Sequence, residues 1–212
     1  TAADDVVLAS TSGNVTIDVN SVCRSLDCQA SGNYAGTLAV ASGVFLTIGD
    51  ATAGAGNRAL RFSATMTHNT GGDRGFIFAS SSATVQTVTT AGKQPGVVLF
   101  GTGAVSPSYQ LADALSCATG ATVTLTRGTL DTNSQAVTCW AFSSSNSNTR
   151  TLTLGSSTIT CTGTGTAWDT ATVTGLTVTA NTATITLSGA GSTFTSSAKD
   201  FAGATLLLSG SG

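Results

Sequence analysis

The chain has 212 residues, 41% hydrophobic and only 8% charged, with a formal net charge of −2. That balance excludes a disordered chain, which pairs low hydrophobicity with high net charge, and provides no attraction to nucleic acid or an anionic membrane. No apolar run approaches the ~20 residues of a membrane helix, and no charged-then-apolar leader opens the chain.

Glutamate is absent, lysine occurs only at Lys93 and Lys199, and Thr, Val, Ile, Ser and Gly dominate. This bias favours strands and turns over helices. The first residue is not Met, which reads as a processed chain or an excised piece.

In chain order, Thr1–Leu8 is a polar lead into a first apolar strand. In Asn14–Asp18 the alternation places Val15 and Ile17 on one face, as in a half-buried strand. Val22–Cys28 follows, then TLAV (37–40) and VFLTI (44–48). The loop Gly49–Asn57 is as glycine-rich as a phosphate loop but lacks the GK[ST] ending and a following helix, so it reads as a corner. Beyond it, runs of three to seven apolar-alternating residues recur to ATLLL (204–208), punctuated by Gly, Ser and Asn.

One stretch organises the rest. Cys117, Cys139 and Cys161 lie 22 residues apart, and Leu115, Val137 and Ile159 stand two residues before them. A fixed period of this size is the signature of a solenoid, with each coil stacked on its neighbours. The same interval separates Val22, Val44, Met66 and Val88, and also Leu38 from Leu60, Val40 from Phe62, and Leu26 from Ile48. The expected fold is all-β, a parallel β-helix with coils of about 22 residues, hence between nine and ten coils. An antiparallel sandwich also has short, evenly spaced strands, but gives no reason for a cysteine column.

A longer similarity suggests duplication. Residues 17–21 resemble 130–134, and 37–40 resemble 151–154, giving two similar halves, about 14–100 and 128–208. No linker separates them, so a single domain over 1–212 is expected.

Five stretches carry a resemblance: TAADDVV (1–7), CRSLDC (23–28), LTIGDATAGAGNRALRF (46–62), GTLDTNSQ (128–135) and RTLTLGSSTITCTGTGTAWDT (150–170). Together, roughly a third of the chain, they resemble β-solenoid repeat proteins of tailed bacteriophages and bacterial surface loci. The resemblance implies a structural fibre, spike or tail-associated module on a virion or cell surface. It implies no catalytic signature.

Candidate chemistry is sparse. Five cysteines cannot all pair within one chain, and no CxxC occurs, so no metal or cofactor is expected. The column Leu115, Cys117, Val137, Cys139, Ile159 and Cys161 reads as buried stacking, with an inter-coil disulfide as the alternative. His68 has no partner at a recognised spacing and reads as an exposed polar residue. β-Helices also host polysaccharide-degrading enzymes, which usually need two carboxylates on one face. The candidates Asp18, Asp27, Asp50, Asp73, Asp113, Asp131, Asp169 and Asp200 sit mostly beside turn residues, so catalysis ranks third and the chain is read as non-enzymatic.

Threonine offers a binding surface. Thr158, Thr160, Thr162, Thr164 and Thr166 alternate as if along one strand, and the 22-residue register sets Thr160, Thr162 and Thr164 against Thr182, Thr184 and Thr186. Such rows resemble the ice-binding faces of solenoid antifreeze proteins. The plainer reading is that Thr suits exposed strands, where cross-strand pairs contribute roughly 0.2–1 kcal/mol. Trp140, Trp168, Tyr34 and Tyr109 are candidates to stack on a sugar, with Trp168 exposed and Trp140 buried. The expected partners are copies of the chain or other structural proteins, then surface glycan, with no nucleic acid and no membrane insertion.

Overall fold

The computed structural model describes residues 4–69, 71–103 and 105–210; residues 1–3 of the lead lie outside them. Among the described residues there are 24 strands of two to five residues and no helix. The strands pair in parallel, each with the strand one coil earlier and one coil later. The chain is a parallel β-solenoid.

Each full coil has three sides. A front sheet of eight strands runs from Asp5–Val7 to Leu176–Thr179, and a back sheet of eight from Ser21–Cys23 to Ser192–Thr195. The third side is split into a three-stranded part (Val15–Ile17, Thr37–Val40, Thr67–Asn69) and a five-stranded part from Leu115–Ser116 to Thr205–Leu208. The interruption falls in the fourth coil, between Gln86–Thr89 and Val97–Phe100. There Lys93 N–H bonds back to Thr90 O in a tight turn, and Pro95 has no N–H to give a ladder. That coil keeps its corner, and Pro95 O still accepts Ala118 N–H of the next coil, but no strand forms there.

Alternation within each strand sends every second side chain inward, and parallel register stacks these into columns. On the back sheet Leu46, Phe76, Val98, Val123, Phe142, Trp168 and Phe194 form one column. Its rings stack: Phe142 and Trp168 lie 4.5 Å apart at 27°, and Trp168 and Phe194 5.6 Å apart at 14°. Buried side chains of this kind stabilise by roughly 1.5–3 kcal/mol each.

The 22-residue interval holds only locally. Leu115, Val137 and Ile159 are paired as expected, as are Cys139 and Cys161. Elsewhere Asp5 pairs with Ser25 but Leu26 with Leu60, so one coil takes 20 residues and the next 34. Leu38 faces His68 rather than Leu60, and Val22 faces Thr47 rather than Val44. The long coils leave eight strands per full sheet instead of nine to ten, a stack of roughly 34 Å. Corners of unequal length cause the drift: Gly49–Asn57 alone separates two strands by nine residues.

The segments that suggested duplication fall on different sides. Val15–Ile17 and Thr37–Val40 belong to the third side, whereas Gly128–Asp131 and Arg150–Thr153 belong to the front sheet.

One corner is built on close backbone approach. Gly163, Gly189 and Gly210 stack: a Cβ on Gly189 would lie 2.0 Å from Gly163 O, and one on Gly210 2.1 Å from Gly189 O. Trp140 O and Nε1 occupy the same place beneath Gly163.

Candidate functional site

Most of the candidate carboxylates are tied into the scaffold; Asp18 is exposed. Asp27 accepts two bonds from Arg61, at 2.8 and 2.7 Å, and one from Gln29 N–H. Asp131, Asp169 and Asp200 each accept the N–H two residues on, closing a turn. Asp113 takes the N–H groups of Thr90 and Ala91 from the coil before. Asp73 is held at about 2 by bonds from the Ser42 hydroxyl and Arg74. Among the described residues no three His, Cys or Asp side chains gather as a metal site would require.

His68 departs from the expected exposed position. Its ring packs inward at the register of Leu38, 4.9 Å from Phe62 and 5.7 Å from Phe76. Nδ1 lies 2.9 Å from Leu38 O and donates to it, while buried Nε2 has no partner among the described residues. Burial lowers the pKa below the ordinary 6.5, so the ring is held neutral. Alternation decides this, because His68 occupies an inward slot.

All five cysteines are free and buried. Cys139 and Cys161 Sγ atoms are 4.0 Å apart. Burial pushes Cys23, Cys28 and Cys117 up to about 12, far from thiolate reactivity.

The sugar-stacking candidates are turned inward. Trp168, Tyr34 and Tyr109 are each 0% exposed. The Tyr34 hydroxyl lies 3.0 and 2.9 Å from the carbonyls of Gly13 and Thr37, and that of Tyr109 accepts Ser80 N–H at 2.9 Å. Trp140, expected inside, is the half-exposed tryptophan, at the corner after Val137–Cys139. The two tryptophans exchange their expected roles because a bulge between Thr166 and Trp168 turns the latter inward.

The threonine rows exist in a different register. Thr158 pairs with Thr184 and Thr160 with Thr186, an offset of 26 rather than 22. Thr162 lies at the corner, and Thr164 and Thr166 beyond it, where the chain turns onto the back sheet at Gly165–Asp169. Thr182 sits in the turn before Thr184–Leu187. Two columns face outward on the five-stranded part: Ser116, Thr138, Thr160 and Thr186, and beside them Thr158, Thr184 and Thr205. Thr138 and Thr205 were missed, and Thr158, named in the row, had no partner assigned. The register is legible in TITCTG (158–163), TITLSG (184–189) and TLLLSG (205–210), each opening on Thr and closing on Gly along this side.

Arg150 was also missed as a buried group. It is 0% exposed and donates to carbonyls of Ser144, Asn148, Thr172 and Thr174, the last three at 2.9, 3.0 and 2.6 Å. Burial lowers its pKa. It ties two corners together.

Two cavities bear on the core and on the first coil. One of about 10 Å³ in the core touches Leu130, Val137, Phe142, Leu152 and Trp168 and has room for one water at most. The other, of about 170 Å³, opens at the first coil between Val6, Leu8, Val15, Ile17, Leu26 and Leu46.

The fold and this surface define a β-solenoid with a hydroxyl-rich flat side. Comparison with known proteins matched no family model, no curated protein and no solved structure.

Proposed function

We propose that the chain is a non-enzymatic structural module, a stiff rod in a phage or bacterial surface assembly such as a fibre, spike or decoration. One observation carries this reading: two uninterrupted eight-stranded parallel sheets run the length of the stack. Every inner strand is bonded on both sides, so bending requires breaking a ladder. The turn and ion-pair commitments of Asp27, Asp113, Asp131, Asp169 and Asp200 support a scaffolding use of the carboxylates. The phage or surface setting, on a virion or outside the cell, rests on the resemblance of stretches such as CRSLDC (23–28). The partners are copies of the chain or other structural proteins.

Light scattering on a sizing column tests it. A trimer or larger assembly is the expected result for a fibre or spike component. A clean monomer counts against self-assembly as the role and leaves display between other proteins.

A further inference from the structure

We infer that the outward side of the five-stranded part is a binding surface for ordered water in its crystalline form, the ice lattice. The inference goes beyond the rod reading and stands on four observations.

First, the hydroxyls form a grid. Thr158 and Thr160 lie beside Thr184 and Thr186, with Thr138 extending one column at one end and Thr205 the other column at the opposite end. Neighbouring coils are about 4.8 Å apart, and alternate residues along a strand about 6.7 Å apart. Both repeats lie close to oxygen repeats on a prism plane of ice.

Second, the hydroxyls are free. None of these six threonine side chains makes a hydrogen bond within the chain among the described residues. Just beyond the grid, the hydroxyls of Thr162, Ser188 and Ser209 turn back onto carbonyls of Cys139, Cys161 and Leu187.

Third, the rows carry no charge. The two columns hold Ser116, the six threonines and Leu207. The front sheet also presents threonines, Thr129, Thr151 and Thr177 in one column and Thr153 and Thr179 in the next, but that second column includes Gln110 bonded to Asp131. A carboxylate orders water radially around itself and breaks a lattice.

Fourth, the grid is stiff. Thr is restricted at χ1, and the strands Thr158–Cys161 and Thr184–Leu187 are bonded on both edges. Methyl groups restrict the orientation of first-shell water, while hydroxyls at fixed spacing pin that water in place. A rigid array therefore meets ice without first paying to order its own side chains.

The test is thermal hysteresis of the purified chain by nanolitre osmometry, with crystal shape recorded. The expected result is measurable hysteresis and faceted crystals for the natural sequence, and loss of both in Thr160→Lys/Thr184→Lys. These two positions are diagonal, so the new charges do not stack. Thr124→Lys on the back sheet should keep the activity. Should the lysine pair fail to fold by circular dichroism, Thr160→Ser, which deletes a methyl and keeps the hydroxyl, should reduce hysteresis. Absence of hysteresis in the natural chain overturns the inference while leaving the rod reading intact. So does concentration-dependent dimerisation abolished by Thr160→Lys/Thr184→Lys without any hysteresis, which would make the grid a contact between copies.

Discussion

Cys139 and Cys161 stack on adjacent coils with their sulfurs 4.0 Å apart, reduced and buried inside the solenoid. The column continues as Leu187 and Leu208, so the thiols occupy places that leucine fills elsewhere. They serve as small apolar side chains. The folded chain should therefore react negligibly with Ellman's reagent, whereas the five thiols should all titrate after unfolding in guanidinium. Rapid labelling of the native chain would contradict this placement.

Asp27 and Arg61 form a bidentate ion pair in direct register on the front sheet. The Asp27 side chain is 7% exposed and that of Arg61 21%. Removing one partner leaves a shielded charge, so Asp27→Asn should cost about 3 kcal/mol. A double-mutant cycle with Arg61→Gln should return a coupling of about 1–3 kcal/mol. Additive effects in urea unfolding would mean the pair contributes nothing beyond its separate packing.

His68 makes stability depend on pH. Burial depresses its folded pKa below 6.5, so between the folded pKa and 6.5 the unfolded chain binds the extra proton. This contribution is fully present above the unfolded pKa and is lost as pH falls towards the folded pKa, by at most about 1.4 kcal/mol per pH unit. Asp5, lowered by its bonds from Arg24, acts only below its ordinary 3.8. His68→Leu should therefore flatten the loss of stability between about pH 7 and about pH 5. An unchanged slope would place the titrating group elsewhere.

The stacked glycines Gly163, Gly189 and Gly210 predict a sharp contrast. Gly189→Ala drives a methyl into Gly163 O, backbone that cannot move aside, and should cost about 3 kcal/mol or more. Gly13→Ala meets nothing within 4 Å and should stay within about 0.5 kcal/mol of the natural chain. Thermal melts of the two variants check this directly.

Much of the architecture was legible. The interval linking Cys117, Cys139 and Cys161 marked stacked coils, and the register of Val137 with Ile159 carries it through. The turn role of the aspartates was legible too, because Asp131, Asp169 and Asp200 bond to N–H groups two residues away. Register between distant strands was not. The pairing of Thr160 with Thr186 depends on how many residues the intervening corners absorb, and a corner leaves no periodic trace. Trp168 was misread for a related reason, since a bulge breaks the alternation that would have placed it.

The sequence by itself determined that this chain is a β-solenoid with a neutral, hydroxyl-rich exterior, because strand alternation and corner residues are local properties. Only the tertiary structure decided which threonines share a face, which aromatic rings are buried and where the third side is broken. Those outcomes depend on coil lengths ranging from the 19 residues between Val123 and Phe142 to the 34 between Leu26 and Leu60. Each corner absorbs its own number of residues while the inward column keeps its face, as the offsets of 21, 22 and 26 along Tyr109, Leu130, Leu152 and Val178 show, so an interval in the sequence does not by itself name a residue's neighbour.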